Sequence, residues 1–329
     1  MSETTPPRRK LPPELSVLRR RTRMQIEWLD IDGVQLRCGI RRGRGRPIVL
    51  LNTLGANLDM MLPLVNALDD SELIVPELPG AGQTPSLRLP RTMGWHARLL
   101  ATLLDRLGYD GPLNFVGLAW GGALVQTFAL AYPARTNRIV LASSSVGVLG
   151  RTFGTNGWRR LQAVRRYRKA EAPSPGLAGL YGGLIRQRPE LLRPRGEHAS
   201  GPSTRGYLHQ ALAGAAWTSV HRLHNLGCPT LIMGGDDDPI SPLVNSRFLY
   251  WLIPKSHLHV VRGGGHLFLL LRANESAAVI LRFINERRYD GTDNADYHLA
   301  RGLPRDGQLV PPAPGDGDAP LAWPEAPEP

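Results

Sequence analysis

The sequence predicts an α/β protein, a mostly parallel sheet flanked by helices and carrying a helical lid insertion, and three observations predict it. Short continuous apolar runs recur at IVLLN (48–52), LIVPE (73–77), LNFVGL (113–118), RIVLAS (138–143), TLIMGG (230–235) and LHVVRGGG (258–265), as expected of strands covered on both faces. Segments of helical pattern lie between them, and such alternation argues for a parallel sheet. The stretch from Val148 to about Leu226 breaks the alternation: it has helical patterns cut by Gly and Pro, and no good strand.

In chain order, residues 1–25 form a basic head with Arg8, Arg9, Lys10, Arg19, Arg20, Arg21 and Arg23. It lacks apolar periodicity and is expected to be disordered. IEWLDIDGVQLRCGI then places two alternating runs around Asp32-Gly33, the pattern of an antiparallel hairpin. The core is expected over 26–147 and 227–290, with helices over Leu58 to Leu68, Trp95 to Leu107, Gly121 to Tyr132 and Glu275 to Arg288. Between its two parts, 148–226 reads as a lid over the carboxyl edge of the sheet, where open α/β sheets place their ligands. The lid's basic cluster, Arg159, Arg160, Arg165, Arg166, Arg168 and Lys169, reads as a solvated helix face. The Pro-rich tail, 291–329, carries Asp316, Asp318, Glu325 and Glu328, with no basic residue after Val310, and is also expected to be disordered.

A chain of 329 residues, 42% of them hydrophobic, can bury a sizeable core. No apolar run reaches the roughly 18 residues of a membrane span. The first residues lack the apolar segment of a secretory signal, so a cytoplasmic location is the expectation. Cys38 and Cys228 lie far apart and show no metal-ligand spacing, so they read as free thiols, and neither a metal nor a cofactor is called for. The formal charge of +12 raises nucleic acid as a partner. No motif of spaced aromatics or Cys/His pairs accompanies it, and nucleic acid is not expected. Nothing in the sequence sets the oligomeric state.

GLAWGG (117–122) sits where LNFVGL gives way to a helical pattern. The sharp strand-to-helix turn that presents a nucleophile needs small neighbours, which Gly117, Gly121 and Gly122 supply, but the central position holds Ala119. GGDDDPI (234–240) follows the strand run TLIMGG and offers Asp238 as the acid that orients a histidine, with Asp236 and Asp237 as rivals. His266 follows three glycines in GGGHLFLL. The order elbow, acid, base is that of Ser…Asp…His hydrolases. An oxyanion hole is expected from the N–H of Trp120, directly after the elbow residue, and from that of Leu54 in the loop Asn52-Thr53-Leu54-Gly55. Asn57 would fix that loop, or it or Asp59 would cap the next helix.

Together the segments NTLGANLDMMLPLVNAL, ELPGAGQTP, NFVGLAWGGALVQTFALAYP, WTSVHRLHNLGCPTLIMGGDDDPISPLVN and GGGHLFLL resemble the intracellular medium-chain-length poly(3-hydroxyalkanoate) depolymerases of the α/β-hydrolase superfamily, over about Ile26 to Arg288. The resemblance implies an α/β-hydrolase fold and cleavage of stored polyester, or of medium-chain 3-hydroxyacyl esters, at cytoplasmic granules. It places the nucleophile on Ala119, the acid on Asp238 and the base on His266. The chain departs from that family at Ala119, where the nucleophilic serine is expected, at Thr53, where the family has glycine, and at Glu77, where it has aspartate. A methyl group cannot attack a carbonyl, so acyl-enzyme chemistry is closed and the chain should be inactive or very slow. The neighbouring Ser143, Ser144 and Ser145 do not sit on the turn. Two readings follow: an ester hydrolase whose serine has been replaced, or a natural non-catalytic member that binds polyester granules, acyl esters or a protein partner. In both, Trp158, Leu161, Leu177, Leu180, Tyr181, Leu184 and Trp217 are expected to line an apolar cleft over Ala119.

Overall fold

One sheet of eight strands, in the order β1-β2-β4-β3-β5-β6-β7-β8, organises the chain. The computed structural model describes residues 24–147, 179–192 and 203–285. The basic head, the Pro-rich tail, and Trp158, Leu161, Leu177 and the basic cluster of the insertion lie outside the described residues.

β1 (Gln25–Ile31) and β2 (Val34–Arg41) form the expected antiparallel hairpin, closed by Asp32 and Gly33 at φ 52° and 79°. That two-residue turn with both φ positive matches the twist of the flanking strands, and the Gly33 N–H donates to Asp30 Oδ1 at 2.8 Å. β2 runs antiparallel to β4 (Ser71–Glu77). From β3 (Arg44–Leu51) onward the sheet is parallel, through β5 (Leu113–Leu118), β6 (Thr136–Ala142), β7 (Thr230–Gly235) and β8 (Ser256–Val261). β8 ends before the glycines expected within it, because Gly263 takes φ 62° and turns the chain out of the sheet.

The apolar runs are continuous because both faces of the sheet are covered. Val49, Leu51, Phe115, Ile139, Leu141 and Ile232 pack in one core layer, and Ile48, Leu50, Val116, Val140, Leu231 and Met233 pack in the other. The second layer includes α1 (Leu62–Ala67), entered through a 3-10 turn at Leu58–Met61. The first includes α2 (Met93–Arg106), capped by Thr92, and α3 (Trp120–Ala131). Within the expected insertion the described residues include α4 (Gly183–Gln187) and α5 (Thr204–Ala215), the latter capped by Ser203. α6 (Leu243–Leu252), which follows Pro242, and the short α7 (Phe268–Leu271) had no clear signal in the sequence. α8 (Ala273–Asn285) closes the second layer where a helix was expected. Among the described residues no helix is long and apolar enough to cross a membrane.

The first turn of α3 presses directly on the sheet. A methyl group on Gly121 would collide with the Leu51 carbonyl oxygen, and one on Gly122 would collide with the Ser144 hydroxyl. Backbone cannot move aside as a flexible side-chain tip can, so Gly121→Ala is expected to cost about 3 kcal/mol or more. In thermal unfolding it should lower the Tm by roughly 6 °C or more, whereas Gly111→Ala, with open space around it, should leave the Tm almost unchanged. Equal Tm values would contradict this packing.

Candidate active site

Ala119 occupies the turn between β5 and α3 with φ 51° and ψ −106°. A positive φ on a residue with a Cβ costs about 1–3 kcal/mol and persists only where the surroundings impose it. Here the Ala119 N–H donates to the Ala142 carbonyl at 2.8 Å, and its own carbonyl accepts the Ala123 N–H at 3.2 Å. The residue is half-buried, at the carboxyl end of its strand. This is the strained strand–turn–helix geometry that presents a side chain above a sheet, and the side chain it presents here is a methyl group.

Asp238 and His266 lie beyond the carboxyl ends of β7 and β8, at the same edge of the sheet. Both are buried, and the His266 Nδ1 stands 2.9 Å from Asp238 Oδ2 and 3.1 Å from Oδ1. A carboxylate can only accept, so Nδ1 carries a proton, and in the neutral ring the lone pair is on Nε2. Asp238 is held in turn: its Oδ1 accepts the N–H groups of Ile240 and Ser241, each at 2.8 Å. The rival acids do other work. Exposed Asp236 accepts the Gly263 N–H at 2.6 Å and ties down the loop that carries the histidine. Asp237 accepts the Gly183 N–H at 2.7 Å and pairs with Arg186 at 2.8 Å, which fastens α4 beside the same loop.

The loop after β3 accounts for its amides one by one. The Thr53 N–H donates to Asn52 Oδ1 at 2.8 Å, Gly55 to Gln210 Oε1 at 2.8 Å and Ala56 to the Thr53 carbonyl at 3.1 Å. Among the described residues the Leu54 N–H has no such partner. In a trans peptide the N–H points opposite to the C=O. Because the Thr53 carbonyl is engaged by Ala56, the Leu54 N–H is directed away from the turn. Trp120, as the first residue of α3, likewise has no partner for its N–H within the helix. Asn57 takes the capping role, accepting the Met60 N–H at 3.1 Å, while Asp59 faces Arg37 at 3.4 Å.

Two residues that sequence reasoning missed brace this loop. Glu77 was noted only as a departure from aspartate. It is buried, and its carboxylate accepts from Leu58 N at 2.8 Å, Gln83 N at 2.8 Å, Thr84 N at 3.0 Å and Arg37 at 3.2 Å. Gln210, on α5, is the other. Of the expected cleft residues, Tyr181 meets the histidine: its carbonyl accepts the His266 N–H at 2.7 Å, and the two rings lie 6.4 Å apart. Leu180 packs against the core layer that also holds Ala119, and Leu184 is half-buried in α4. Trp217 lines a cavity of about 320 Å³ between the start of α2 and the end of α5, with Arg91, Met93, Leu212 and Ala216; Ala119 is not one of its walls.

The family described as "alpha/beta hydrolase fold" matches residues 46–273. The poly(3-hydroxyalkanoate) depolymerase of Ectopseudomonas oleovorans is 37% identical over 263 residues, which is 79% of this chain and 92% of that protein. A 2-hydroxy-6-oxo-2,4-heptadienoate hydrolase of Pseudomonas putida is 30% identical over 244 residues, 68% of this chain and 83% of that protein. Among solved structures, a thermophilic esterase from Thermogutta terrifontis superposes with a TM-score of 0.67 at 24% identity, covering 79% of this chain and 98% of that one, a likeness of fold.

The Asp238–His266 contact sets a tautomer that can be read directly. In ¹⁵N NMR of the neutral imidazole, His266 should be protonated on Nδ1, and Asp238→Ala should shift it towards Nε2. An Nε2-protonated His266 in the unaltered chain would contradict the geometry.

Proposed function

We propose, because the chain belongs to the α/β-hydrolase family and to its poly(3-hydroxyalkanoate) depolymerase type, that it is built to bind an ester at the elbow and is held short of the acyl-enzyme by Ala119. The observation that carries this reading is the buried Asp238–His266 pair, hydrogen-bonded at 2.9 Å at the same sheet edge as an elbow that keeps its strained φ of 51° with alanine in it. In a complete site a serine hydroxyl at position 119 would attack the ester carbonyl. His266 Nε2 would take its proton, Asp238 would stabilise the imidazolium, and the N–H groups of Leu54 and Trp120 would hold the oxyanion. With a methyl at 119 that attack is absent. What remains is His266 as general base towards water, with the oxyanion donors in place. Residual catalysis of that kind amounts to about 10³–10⁴ over water in triad knockouts.

The substrate in this reading is a polyester, or a medium-chain 3-hydroxyacyl ester, met in the cytoplasm at a granule surface; the relationship to the Ectopseudomonas oleovorans enzyme supports it. The stretch 148–226 serves as a lid, with Tyr181 beside the base and Trp158, Leu177 and Trp217 contributing apolar surface to the acyl chain. Ala119 itself favours a second reading, a non-catalytic member that grips ester, granule or protein partner without turnover.

Restoring one oxygen separates the two. Loss of the nucleophile in a serine protease costs about 10⁶ in kcat. Ala119→Ser is therefore expected to raise kcat/KM for a medium-chain p-nitrophenyl ester by at least ~10³-fold, and His266→Ala in that background should abolish the gain. A folded Ala119→Ser chain with no gain would put the binding reading first. Failure of the folded, unaltered chain to bind medium-chain 3-hydroxyacyl esters or polyester granules would remove the substrate assignment.

A further inference from the structure

α5 turns one face towards the site at every third or fourth residue, the spacing that stacks side chains along a helix. Ser203 hydrogen-bonds Ser86 through their hydroxyls. Gly206 lies so close to Gly80 that a methyl on either would strike the other's backbone. Gly214 sits under the indole of Trp120. Between them is Gln210, 2% exposed. Its Oε1 accepts the Gly55 N–H at 2.8 Å, its Nε2 donates to the Pro79 carbonyl at 3.0 Å, and its backbone carbonyl accepts the Trp120 indole N–H at 2.9 Å. One buried residue thus touches the loop after β3, the turn after β4 and the first residue of α3.

We propose that Gln210 is a positioning residue for the oxyanion-binding amide, so that seating α5 and forming the oxyanion hole are a single event. This rests on the function proposed above. The route is short. The Gly55 N–H belongs to the peptide that follows Leu54, and anchoring it on Gln210 fixes one side of Leu54. The hydrogen bond of Ala56 to the Thr53 carbonyl fixes the peptide on the other side. The Leu54 N–H is then aimed without touching Gln210 at all. The Trp120 indole, held by the Gln210 carbonyl, sets the second donor's residue in the same way. Because α5 belongs to the inserted stretch, displacing it would take the Gly55 anchor with it, and the oxyanion amide would lose its aim while Asp238 and His266 stayed in place. A glutamine suits the position because the site needs one acceptor and one donor on the same planar group.

The test has two arms on the full chain. In the first, amide exchange of peptides covering residues 52–58 is read by mass spectrometry in the unaltered chain, in Gln210→Met, which keeps the volume and loses both hydrogen bonds, and in Gln210→Glu, which keeps the acceptor. The expectation is exchange at least ~10-fold faster in Gln210→Met, as a weakened local structure opens more often, and within about threefold of the parent in Gln210→Glu. In the second, the same changes are made beside Ala119→Ser. Loss of one oxyanion donor costs about 10²–10³ in kcat, so a misaimed one should cost Gln210→Met about 10-fold or more in kcat, with KM within threefold and with Gln210→Glu largely rescuing the rate. Unchanged exchange in Gln210→Met would overturn the proposal. So would an unchanged kcat, a loss confined to KM, or a Gln210→Glu chain as unprotected as Gln210→Met. Should Gln210→Met fail to fold, Gln210→Leu takes its place in both arms with the same expected losses, and unchanged exchange or unchanged kcat in it would overturn the proposal. An inactive Ala119→Ser chain with Gln210 intact would fail the functional reading alone, and the exchange arm would still decide on Gln210.

Discussion

Backbone amides at the carboxyl edge of the sheet must find acceptors once helices close over them, because a buried amide without a partner costs about as much as a lost hydrogen bond. The loops at this edge meet that demand with buried side chains, some from within the same loop and some, such as Gln210, from far along the chain. Asn52 and Gln210 serve the loop after β3, Glu77 serves Leu58 and the turn through Gln83 and Thr84, and Asp238 serves Ile240 and Ser241. Among the described residues the amides of Leu54 and Trp120 are given no acceptor in this way. A site that must stabilise a developing negative charge needs donors of that kind, fixed in place and unspent.

The same constraint explains why an alanine can stand at the elbow without the elbow collapsing. The conformation of residue 119 is imposed by its neighbours: the hydrogen bond to Ala142, and the approach of α3 that Gly117, Gly121 and Gly122 permit. None of these contacts involves a side-chain oxygen at 119. Asp238 and His266 are likewise held from outside the elbow, with His266 tied through its N–H to Tyr181 and through its ring to Asp238. In the function proposed above, the chemistry of the site therefore rests on an atom that the scaffold does not need.

Much of this was legible in the sequence because it is local. Buried parallel strands read as continuous apolar runs, the glycines of GLAWGG and GGGH mark close backbone approaches, and the order of elbow, acid and base follows the chain. What stayed hidden is long-range or local but ambiguous. The Gly55–Gln210 hydrogen bond joins residues 155 positions apart, and nothing around Gln210 in a helical segment announces it. Among the adjacent Asp236, Asp237 and Asp238 the sequence offered Asp238 with two rivals, and burial and partners are what distinguish it: Asp238 is buried and holds the His266 ring. α6 was hard to read because PLVNSRFLYWL mixes polar and apolar residues without a clean helical stripe, and the hydrophobicity that singled out Trp217 could not say which other residues would share a cavity with it, here Arg91, Met93, Leu212 and Ala216.

The proposed function requires a site assembled apart from one oxygen, and covalent trapping tests that most directly. An alkyl fluorophosphonate reacts only with a hydroxyl that is activated by a base and faces oxyanion donors. Intact-mass and peptide mass spectrometry of the Ala119→Ser chain should show one adduct per chain at position 119, formed within minutes and lost when His266 is also changed to Ala, while the unaltered chain stays unlabelled. A folded Ala119→Ser chain that takes up no label, or an unaltered chain labelled at Ser143, Ser144 or Ser145, would contradict the claim.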